Sequence, residues 1–325
     1  MEESGLPFSD LGVTLMQIVR SSHYTSHAEI IERLNVGKDE LYEILLELSD
    51  NGFEFDTHPH AGVKLVDIPV LLTPQRVASS LSTEKIGKIV HHSTSAESTN
   101  SQAIELASQS SPEGTLVITE YQSKGRGRLK RKWQAPPFSS ILATLLLRPV
   151  SRLLGPLVPL VTALTIVELL RQRGMDAYIR WPNDIVVKGR KICGILTEMG
   201  TNYTVCGFGL NINQSSFYPQ LDTSATSIRL ELNRSYSRVA LLTWILQRFE
   251  ERYEDLLSGK DGKILEQIRH VSSLIGRRTR VFTGDSVVTG YVQDIDDSGA
   301  LVLKQDRGRV VTISPQRASL LEGIQ

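Results

Sequence analysis

A short basic loop is the segment of this chain best suited to bind an anion. Residues 124–132 contain six cationic side chains, two glycines and no carboxylate, and Trp133 follows directly. The glycines leave the backbone free to wrap around a ligand, and the cations can form charge-assisted hydrogen bonds. The tryptophan adds a flat apolar face, which favours a phosphate joined to an aromatic ring. Taken alone, the loop is equally compatible with a solvated basic surface or a localisation signal.

Three further polar motifs follow along the chain. Residues 180–184 end a strand, turn at a proline and present an amide and the carboxylate of Asp184. Lys191 stands at the start of an apolar strand, and residues 207–213 combine closely spaced glycines with Asn211. Each motif has a structural explanation as well, because Asn and Asp commonly form turns and glycine relieves a strand end.

Length and composition indicate a globular protein of two or three domains. The chain has 325 residues, of which 40% are hydrophobic and 22% charged. Two cysteines, Cys193 and Cys206, are too few for a disulfide framework or a cysteine-rich zinc site. Prolines and Glu168 interrupt the most apolar region, residues 153–170, which makes it a poor membrane span. Since residues 1–4 do not resemble a secretory signal, we expect a cytoplasmic protein without membrane contact.

The neutral net charge conceals a division within the chain. Residues 1–70 contain 4 basic and 13 acidic side chains, a formal charge of −9, and residues 71–325 therefore carry +9. We expect these two parts to bind different partners or each other.

The elements that must position the motifs follow from hydrophobic periodicity. At the N-terminus, two helices within residues 11–34, a third helix after a tight turn, and strands at 53–55 and 63–66 resemble a winged helix-turn-helix. Ser26 and Glu29 form a capping box at the start of the second helix. The central region alternates strands and helices, including strands at 88–92 and 204–211 and a helix at 238–257, which predicts a mixed α/β domain. Beyond residue 271, four short strands at 278–282, 287–294, 300–303 and 309–313 predict a small β-barrel.

Together and in this order, the four motifs resemble those of biotin protein ligases, of the bifunctional class that is also the biotin operon repressor. The family pattern is a Gly-Arg-Gly-Arg loop ending in Trp, a Trp-Pro-Asn-Asp turn, a Lys before a Gly-Ile-Leu strand, and a Gly-x-Gly-x-Asn strand end. The matching segments are residues 125–133, 181–184, 191–196 and 207–211. The resemblance covers essentially the whole chain.

The resemblance implies an α+β fold with three domains. These are an N-terminal winged helix-turn-helix (1–69), a central mixed α/β ligase domain of the class II synthetase-like type (70–270), and a C-terminal SH3-like β-barrel (271–325). It implies that the protein joins biotin to ATP, releases pyrophosphate, and transfers biotin from biotinyl-5′-AMP to a lysine of the biotin carboxyl carrier protein of acetyl-CoA carboxylase. Mg²⁺ would be bound mainly through the ATP phosphates. A homodimer through the central sheet and binding to operator DNA are also implied.

The resemblance assigns roles to individual residues. Biotin would contact Ser98, Thr99, Gln122, Gly125, Arg126, Lys191, Gly194, Ile195 and Leu196. ATP or the adenylate would contact Arg126, Arg128, Arg131, Trp133, Lys191 and Asn211. The catalytic residues would be Arg126, Lys191 and Asp184. We expect Asp184 to orient the incoming lysine, because an ordinary carboxylate is a weak base for an amine with a pKa near ~10.4.

Two features depart from what the family pattern requires. Lys130 stands where the family loop usually has glycine, and a side chain disfavours positive φ by about 1 kcal/mol. The third N-terminal helix carries Asp39, Glu40 and Glu43 but only one cation, Lys38, whereas DNA binding requires cations that neutralise phosphates. The charge therefore disfavours operator binding.

Two other functions stay open from the residues alone. A lipoate or octanoate transferase-like enzyme would use a related fold and similar lysine acylation. A transcription regulator without enzymatic activity would leave Lys191 and Asp184 without a role.

Overall fold

The computed structural model describes residues 9–148, 154–217, 224–284 and 286–320. Residues 1–4 and Leu153, which entered the sequence-based predictions, lie outside these ranges, as do the last five residues of the predicted barrel. The described residues form an N-terminal helical unit with a two-stranded sheet, a seven-stranded central sheet with helices, and a five-stranded C-terminal sheet.

The N-terminal unit has the predicted order of elements. Ser26 caps the second helix by accepting a hydrogen bond from the Glu29 backbone N–H at 3.2 Å, as the capping box predicts. Its elements are α1 (Asp10–Ile18), α2 (His27–Leu34), α3 (Lys38–Asp50), β1 (Glu54–His58) and β2 (Gly62–Asp67), with β1 and β2 antiparallel. The core of this unit also contains Phe138 of the central region, whose ring meets that of Phe53 edge-on at 6.1 Å.

The central sheet has the strand order β3-β4-β5-β9-β8-β7-β6, and its strand pairs are antiparallel except for β3 with β4. The strands are β3 (Val90–Ala96), β4 (Leu116–Gln122), β5 (Ser140–Leu147), β6 (Ala177–Arg180), β7 (Asp184–Val187), β8 (Arg190–Met199) and β9 (Thr204–Asn211). The helices are α4 (Pro74–Ala78), α5 (Thr99–Ser108), α6 (Val158–Arg171), α7 (Ile228–Leu232), α8 (Arg238–Leu257) and α9 (Asp261–His270). Sequence patterns did not predict α9 or the five-residue helices α4 and α7.

Helices cover both faces of this sheet. Alternate residues of β4 show the division, since Val117 packs in the cluster that contains α5 and Leu116 packs in the cluster that contains α6 and α8. As a result β5 and β9 are buried along their whole lengths. The apolar α6 is part of this core, and no helix in the described ranges is long and apolar enough to cross a membrane.

The C-terminal sheet is antiparallel and lies against the central domain. Its strands are β10 (Arg278–Phe282), β11 (Val287–Ile295), β12 (Leu301–Lys304), β13 (Val310–Ile313) and β14 (Ser319–Leu320), in the order β13-β12-β11-β10-β14. The sequence predicted the first four. The indole N–H of the buried Trp181 donates to the Gly299 carbonyl at 3.0 Å, so the tryptophan of the predicted turn motif connects the two sheets.

A buried ion pair connects the segment after the N-terminal unit to the central sheet. Glu120 and Arg238 are 1% and 5% exposed, and their side chains pair at 2.7 Å. Glu120 also accepts from the Leu72 backbone N–H at 2.7 Å and lies 3.0 Å from the ring of His92. Arg238 donates in addition to the Val70 carbonyl at 2.7 Å. The connecting segment is thus fixed by backbone hydrogen bonds to two buried, opposite charges.

This cluster predicts an acid-sensitive contribution to stability. Burial by itself raises the pKa of Glu120, but the hydrogen bond to His92, the charge of Arg238 and the Leu72 N–H outweigh it and lower the pKa below its ordinary value of 4.5. A carboxylate with a lowered folded-state pKa stabilises the fold above its unfolded pKa, and the contribution is lost as the pH falls through the folded value.

We therefore expect the free energy of unfolding of Glu120→Gln to fall less than that of the parent as the pH drops below about 4.5. The difference should be about 1.4 kcal/mol for each unit by which folding lowers the pKa of Glu120. Urea unfolding between pH 7 and pH 3 measures this. Glu43→Gln, at an exposed position of α3, is the control. Parallel acid limbs for the parent and Glu120→Gln would contradict the assignment.

Candidate active site

A cleft of about 640 Å³ brings the four predicted motifs together beside β7, β8 and β9. Two predicted site residues, Ser98 and Gly125, lie next to the cleft and are not part of its wall. Ser98 is the buried N-cap residue of α5, directly before Thr99. The predicted residues on the wall are Thr99, Gln122, Arg126, Arg128, Arg131, Trp133, Asp184, Lys191, Gly194, Ile195, Leu196 and Asn211.

Lys191 and Asp184 form an ion pair in this cleft. Nζ of Lys191 lies 2.7 Å from Oδ1 of Asp184 and 5.5 Å from the centre of the Trp133 ring. Arg180 pairs with the other oxygen of Asp184 at 3.3 Å. The two residues lie on the adjacent strands β7 and β8, which form a tight hairpin. Asp184 opposes Gly194, three residues after Lys191 on β8, so the long lysine side chain can reach it. The cleft therefore presents an ammonium group beside an aromatic face, with a carboxylate at its base.

Two glycines create the space for Trp133. A Cβ atom at Gly209 would come within 2.4 Å of the indole, and one at Gly194 within 3.0 Å of both the indole and the Lys191 ammonium. The backbone N–H of Trp133 donates to the Gly125 carbonyl at 2.9 Å, which closes the base of the loop. The indole of Trp133 thus requires glycine at both Gly194 and Gly209.

Inside the basic loop, the backbone turns through two residues with positive φ. Leu129 has φ +52° and Lys130 has φ +61°, and the Gly127 N–H donates to the Arg131 carbonyl at 2.7 Å. The left-handed region costs a residue with a side chain roughly 1 kcal/mol relative to glycine. Lys130, which replaces the usual glycine, therefore occupies a position where the loop conformation favours glycine.

We expect Lys130→Gly to favour the ordered loop and to slow release of the adenylate that the resemblance implies about threefold, since part of the ~1 kcal/mol gain is offset by the entropy of glycine in the disordered loop. Dissociation can be followed by tryptophan fluorescence. Lys130→Ala is the matched control, because it removes the same charge and leaves a side chain at positive φ. Equal release rates in the two variants would mean that backbone strain at this position is unimportant.

Arg128 and Asn211 have partners within the protein that the sequence did not indicate. Arg128 donates to the carbonyls of Pro315 and Ala318, the latter at 2.8 Å, and burial lowers the pKa of its guanidinium. Asn211 donates to the Thr226 carbonyl at 3.0 Å and accepts from the Gln214 amide at 2.9 Å. Arg128 thus connects the loop to the C-terminal sheet, and contacts of either residue with a nucleotide stay predictions.

Sequence reasoning missed Asn100 and Glu198. The amide nitrogen of Asn100 donates to Glu198 at 2.8 Å, and Arg126 of the loop donates to the same carboxylate oxygen at 3.0 Å. Each residue adjoins a predicted one, since Asn100 follows Thr99 and Glu198 lies on the strand of Leu196. That adjacency was the only signal in the sequence, because their pairing across the sheet is not visible there.

The described residues offer no cluster of three or more His, Cys, Asp or Glu side chains that could hold a metal ion. Both cysteines are buried, and burial raises the pKa of the Cys193 and Cys206 thiols, which disfavours the reactive thiolate. Neither cysteine is therefore a candidate nucleophile for the cleft.

Comparison with known proteins identifies the family. Residues 90–211 match the Biotin/lipoate A/B protein ligase family, and residues 274–315 match the biotin protein ligase C-terminal domain. The bifunctional ligase/repressor BirA of Bacillus spizizenii is 31% identical over 296 residues, covering 88% of this chain and 91% of that protein. The chain belongs to the biotin protein ligase family.

Two further relatives are similar over less of the chain. The biotin–[acetyl-CoA-carboxylase] ligase of Mycobacterium tuberculosis is 30% identical over 226 residues, or 67% of this chain and 83% of that protein. Among solved structures, the biotin protein ligase from Aquifex aeolicus in complex with biotin and ATP matches with a TM-score of 0.65 and 23% identity. It covers 73% of this chain and 100% of the Aquifex chain, and it supports the mixed α/β fold with a C-terminal domain.

Proposed function

We propose that this protein is an ATP-dependent biotin protein ligase that forms biotinyl-5′-AMP and then transfers biotin to a lysine of a biotin carboxyl carrier protein. One observation carries the proposal most directly: the Lys191–Asp184 pair and Trp133 lie together in a cleft bordered by the basic loop. The Aquifex relative of this fold was solved with biotin and ATP.

The first step requires positive charge at a fixed place. The biotin carboxylate attacks the α-phosphorus of ATP, the bond to the β-phosphate breaks, and pyrophosphate leaves. This step brings several negative charges together, so preorganised cations lower its barrier without a covalent enzyme intermediate. Lys191 would contact the biotin carboxylate and the α-phosphate, and Arg126 and Arg131 would contribute from the loop. Trp133 would stack against adenine.

Mg²⁺ would neutralise charge on the ATP phosphates. Because the ion commonly keeps several waters and binds through substrate phosphates, we expect it to have few direct protein ligands.

In the second step, the carrier lysine attacks the acyl carbonyl of the adenylate and AMP leaves. Asp184 lies at the base of the cleft between two cations, where it can accept a hydrogen bond from the incoming amine. We assign it orientation of that amine. The adenylate is a reactive mixed anhydride, so closure of the basic loop over it would also exclude water.

The direct test is incorporation of labelled biotin into a carrier domain, with ATP and Mg²⁺ present or omitted. Incorporation that depends on both supports the ligase. Incorporation of lipoate or octanoate in preference to biotin would favour the transferase alternative, and no acyl transfer would favour a regulator without enzymatic activity.

A second candidate function, repression of biotin operon transcription, rests on the N-terminal unit. We propose that residues 1–69 form a winged helix-turn-helix, residues 70–270 the catalytic domain and residues 271–325 an SH3-like barrel. In support, a match over 88% of the chain to a protein named ligase/repressor must include part of the first 69 residues. Against DNA binding, the exposed positions of α3 include Asp39, Glu40 and Glu43.

Gel-shift titration with the region upstream of biotin-synthesis genes, with and without biotin and ATP, tests operator binding. A retarded complex that requires both ligands supports repression. If no complex forms at low salt, where phosphate contacts are strongest, the acidic helix does not bind DNA. Deletion of residues 1–70 gives a second test, because a regulatory module predicts altered ligation kinetics.

We also propose a homodimer through the central sheet and a cytoplasmic location. The edges of that sheet are β3 and β6. Ile179 of β6 already pairs with Ser272, so we expect β3 to provide the contact. Sedimentation with and without biotin and ATP tests the dimer, and a monomer under both conditions would contradict it.

A further inference from the structure

A continuous line of hydrogen bonds, buried except at its loop end, runs along the cleft from the basic loop to the predicted biotin site. It passes from Arg126 to Glu198, then to Asn100, Thr144 and Thr99. Asn100, Thr144 and Thr99 are 4%, 0% and 4% exposed. Glu198 is half-buried and meets Arg126 at the surface.

We propose that Asn100, Thr144 and Glu198 are positioning residues: they fix the Thr99 hydroxyl as an acceptor towards biotin and couple it to Arg126 of the loop. This inference rests on the proposed function and deepens it, since neither the family motifs nor the cleft wall accounts for Thr144 and Glu198.

The direction of each hydrogen bond follows from the fixed acceptors at one end. The Asn100 side chain lies 3.1 Å from the Leu196 carbonyl and 2.8 Å from the Glu198 carboxylate, both of which only accept. The amide nitrogen of Asn100 must therefore face them, and its Oδ1 faces Thr144. A hydroxyl that meets a carbonyl oxygen at 2.7 Å must donate its proton, so the Thr144 proton points to Asn100.

The assignment then passes to Thr99. Its hydroxyl oxygen lies 2.8 Å from that of Thr144, whose single proton is already used, so Thr99 must donate in this contact. The alternative acceptor for the Thr99 proton, Oε1 of Gln122, is more distant at 3.2 Å and already accepts from the Thr99 backbone N–H at 2.8 Å. If Thr99 donated to Gln122, one of the two shorter contacts would lack a proton.

This arrangement selects the ligand edge that the site can bind. Thr99 offers lone pairs and no proton to the cleft, whereas Gln122 accepts through Oε1 and keeps its amide nitrogen as a donor. An N–H beside a C=O on one planar ring is complementary to that pair. The ureido ring of biotin has this edge, and an ester or carbonate edge, which only accepts, does not.

Glu198 extends the same network to the loop. One of its oxygens receives both the Asn100 amide and the Arg126 guanidinium, so movement of either donor affects the other. The close approach depends on Gly207, where a Cβ atom would come within 2.0 Å of the Asn100 Oδ1. Opening of the basic loop would withdraw Arg126 from Glu198. Biotin bound at Thr99 would stabilise Asn100 and Thr144 at the other end of the network, so the two events are linked through Glu198.

Substitution of Thr144 tests the polarity of the network without touching the ligand. We expect Thr144→Val to weaken biotin binding about tenfold, measured by calorimetry without ATP, because Asn100 loses its donor and Thr99 its acceptor. Thr144→Ser retains the hydroxyl and should stay within about threefold of the parent. Thr162→Val is the matched control, since this buried threonine donates to the Val158 carbonyl within α6.

A double-mutant cycle of Glu198→Gln and Arg126→Gln tests the coupling. Glutamine at 198 can still accept from Asn100, so this variant removes mainly the charge opposite Arg126. We expect Glu198→Gln to speed adenylate release about fivefold in the parent, consistent with a partly exposed ion pair, and to add little in the Arg126→Gln background. Arg126→Gln alone should have the larger effect, because it also removes the direct contact of Arg126 with the ligand. Multiplicative effects, or no effect of Glu198→Gln, would overturn the coupling.

These outcomes are separable from failure of the proposed function. If the parent protein binds no biotin, the ligase proposal itself is wrong. If the parent binds biotin and Thr144→Val binds it equally well with an unchanged melting temperature, the ligase proposal stands and Thr144 has no positioning role. If Thr144→Val lowers the free energy of unfolding by as much as it lowers the free energy of biotin binding, its loss of affinity can reflect destabilisation alone. Thr144→Ser and the double-mutant cycle are then the deciding measurements. Loss of affinity in Thr144→Ser would overturn the inference.

Discussion

Lys191→Met is expected to lower the rate of biotinyl-adenylate formation by about 10²- to 10³-fold, the usual cost of losing one preorganised charged donor in an enclosed site. The ammonium group lies between the Asp184 carboxylate and the Trp133 ring, where two reacting anionic groups would meet. Methionine keeps the length and the apolar stem of lysine, so the substitution removes the charge with little change in packing. Single-turnover release of pyrophosphate measures the effect.

Lys188→Met provides the control for this experiment. Lys188 is on the same hairpin turn, is largely exposed and pairs with Glu231 at 3.0 Å, so it shares the local backbone but not the cleft. We expect its adenylation rate to remain near that of the parent. If Lys191→Met also forms adenylate at the parent rate, then Lys191 does not stabilise the transition state, and its ion pair with Asp184 is structural.

Asp184→Asn is expected to slow transfer of biotin from preformed adenylate to the carrier by about 10²-fold, the scale on which misplacement of a reacting group reduces a rate. Asparagine keeps the shape of the side chain, but it provides one weaker acceptor where the carboxylate has two. Its effect on adenylate formation should be smaller than that of Lys191→Met, since the ammonium group is retained. The two half-reactions must therefore be measured separately.

Asp176→Asn, on the exposed turn before β6, is the matched control for Asp184. Transfer at the parent rate by Asp184→Asn would exclude the assigned orientation of the amine. Equal losses in both half-reactions would show that Asp184 acts by holding Lys191 in place and has no separate role in transfer. Together, the Lys191 and Asp184 variants distinguish a cation needed for adenylation from a carboxylate needed for transfer.

Local sequence patterns predicted most of the helices and strands, and they identified the four motifs that line the cleft. The strand at residues 204–211 and the helix at 238–257 were predicted with the bounds that the structure has, because long runs with one periodicity specify an element strongly. In contrast, α4 and α7 were missed because five residues give too little periodic signal. The longer α9 was missed although Ile264, Leu265 and Ile268 form an apolar stripe along it. The strand predicted from Lys88 begins only at Val90, since a strand end is set by its pairing partner.

The sequence by itself determined which residues carry charge, which glycines stand in the loop and which family the chain resembles. It also identified Lys130 as the residue at odds with its position, because the φ preference of a residue is a local property. Only the tertiary structure decided the pairing of side chains far apart in the chain. Arg128 turned to the C-terminal sheet, and Glu198 joined Arg126 to Asn100, because strand order and register bring these residues together.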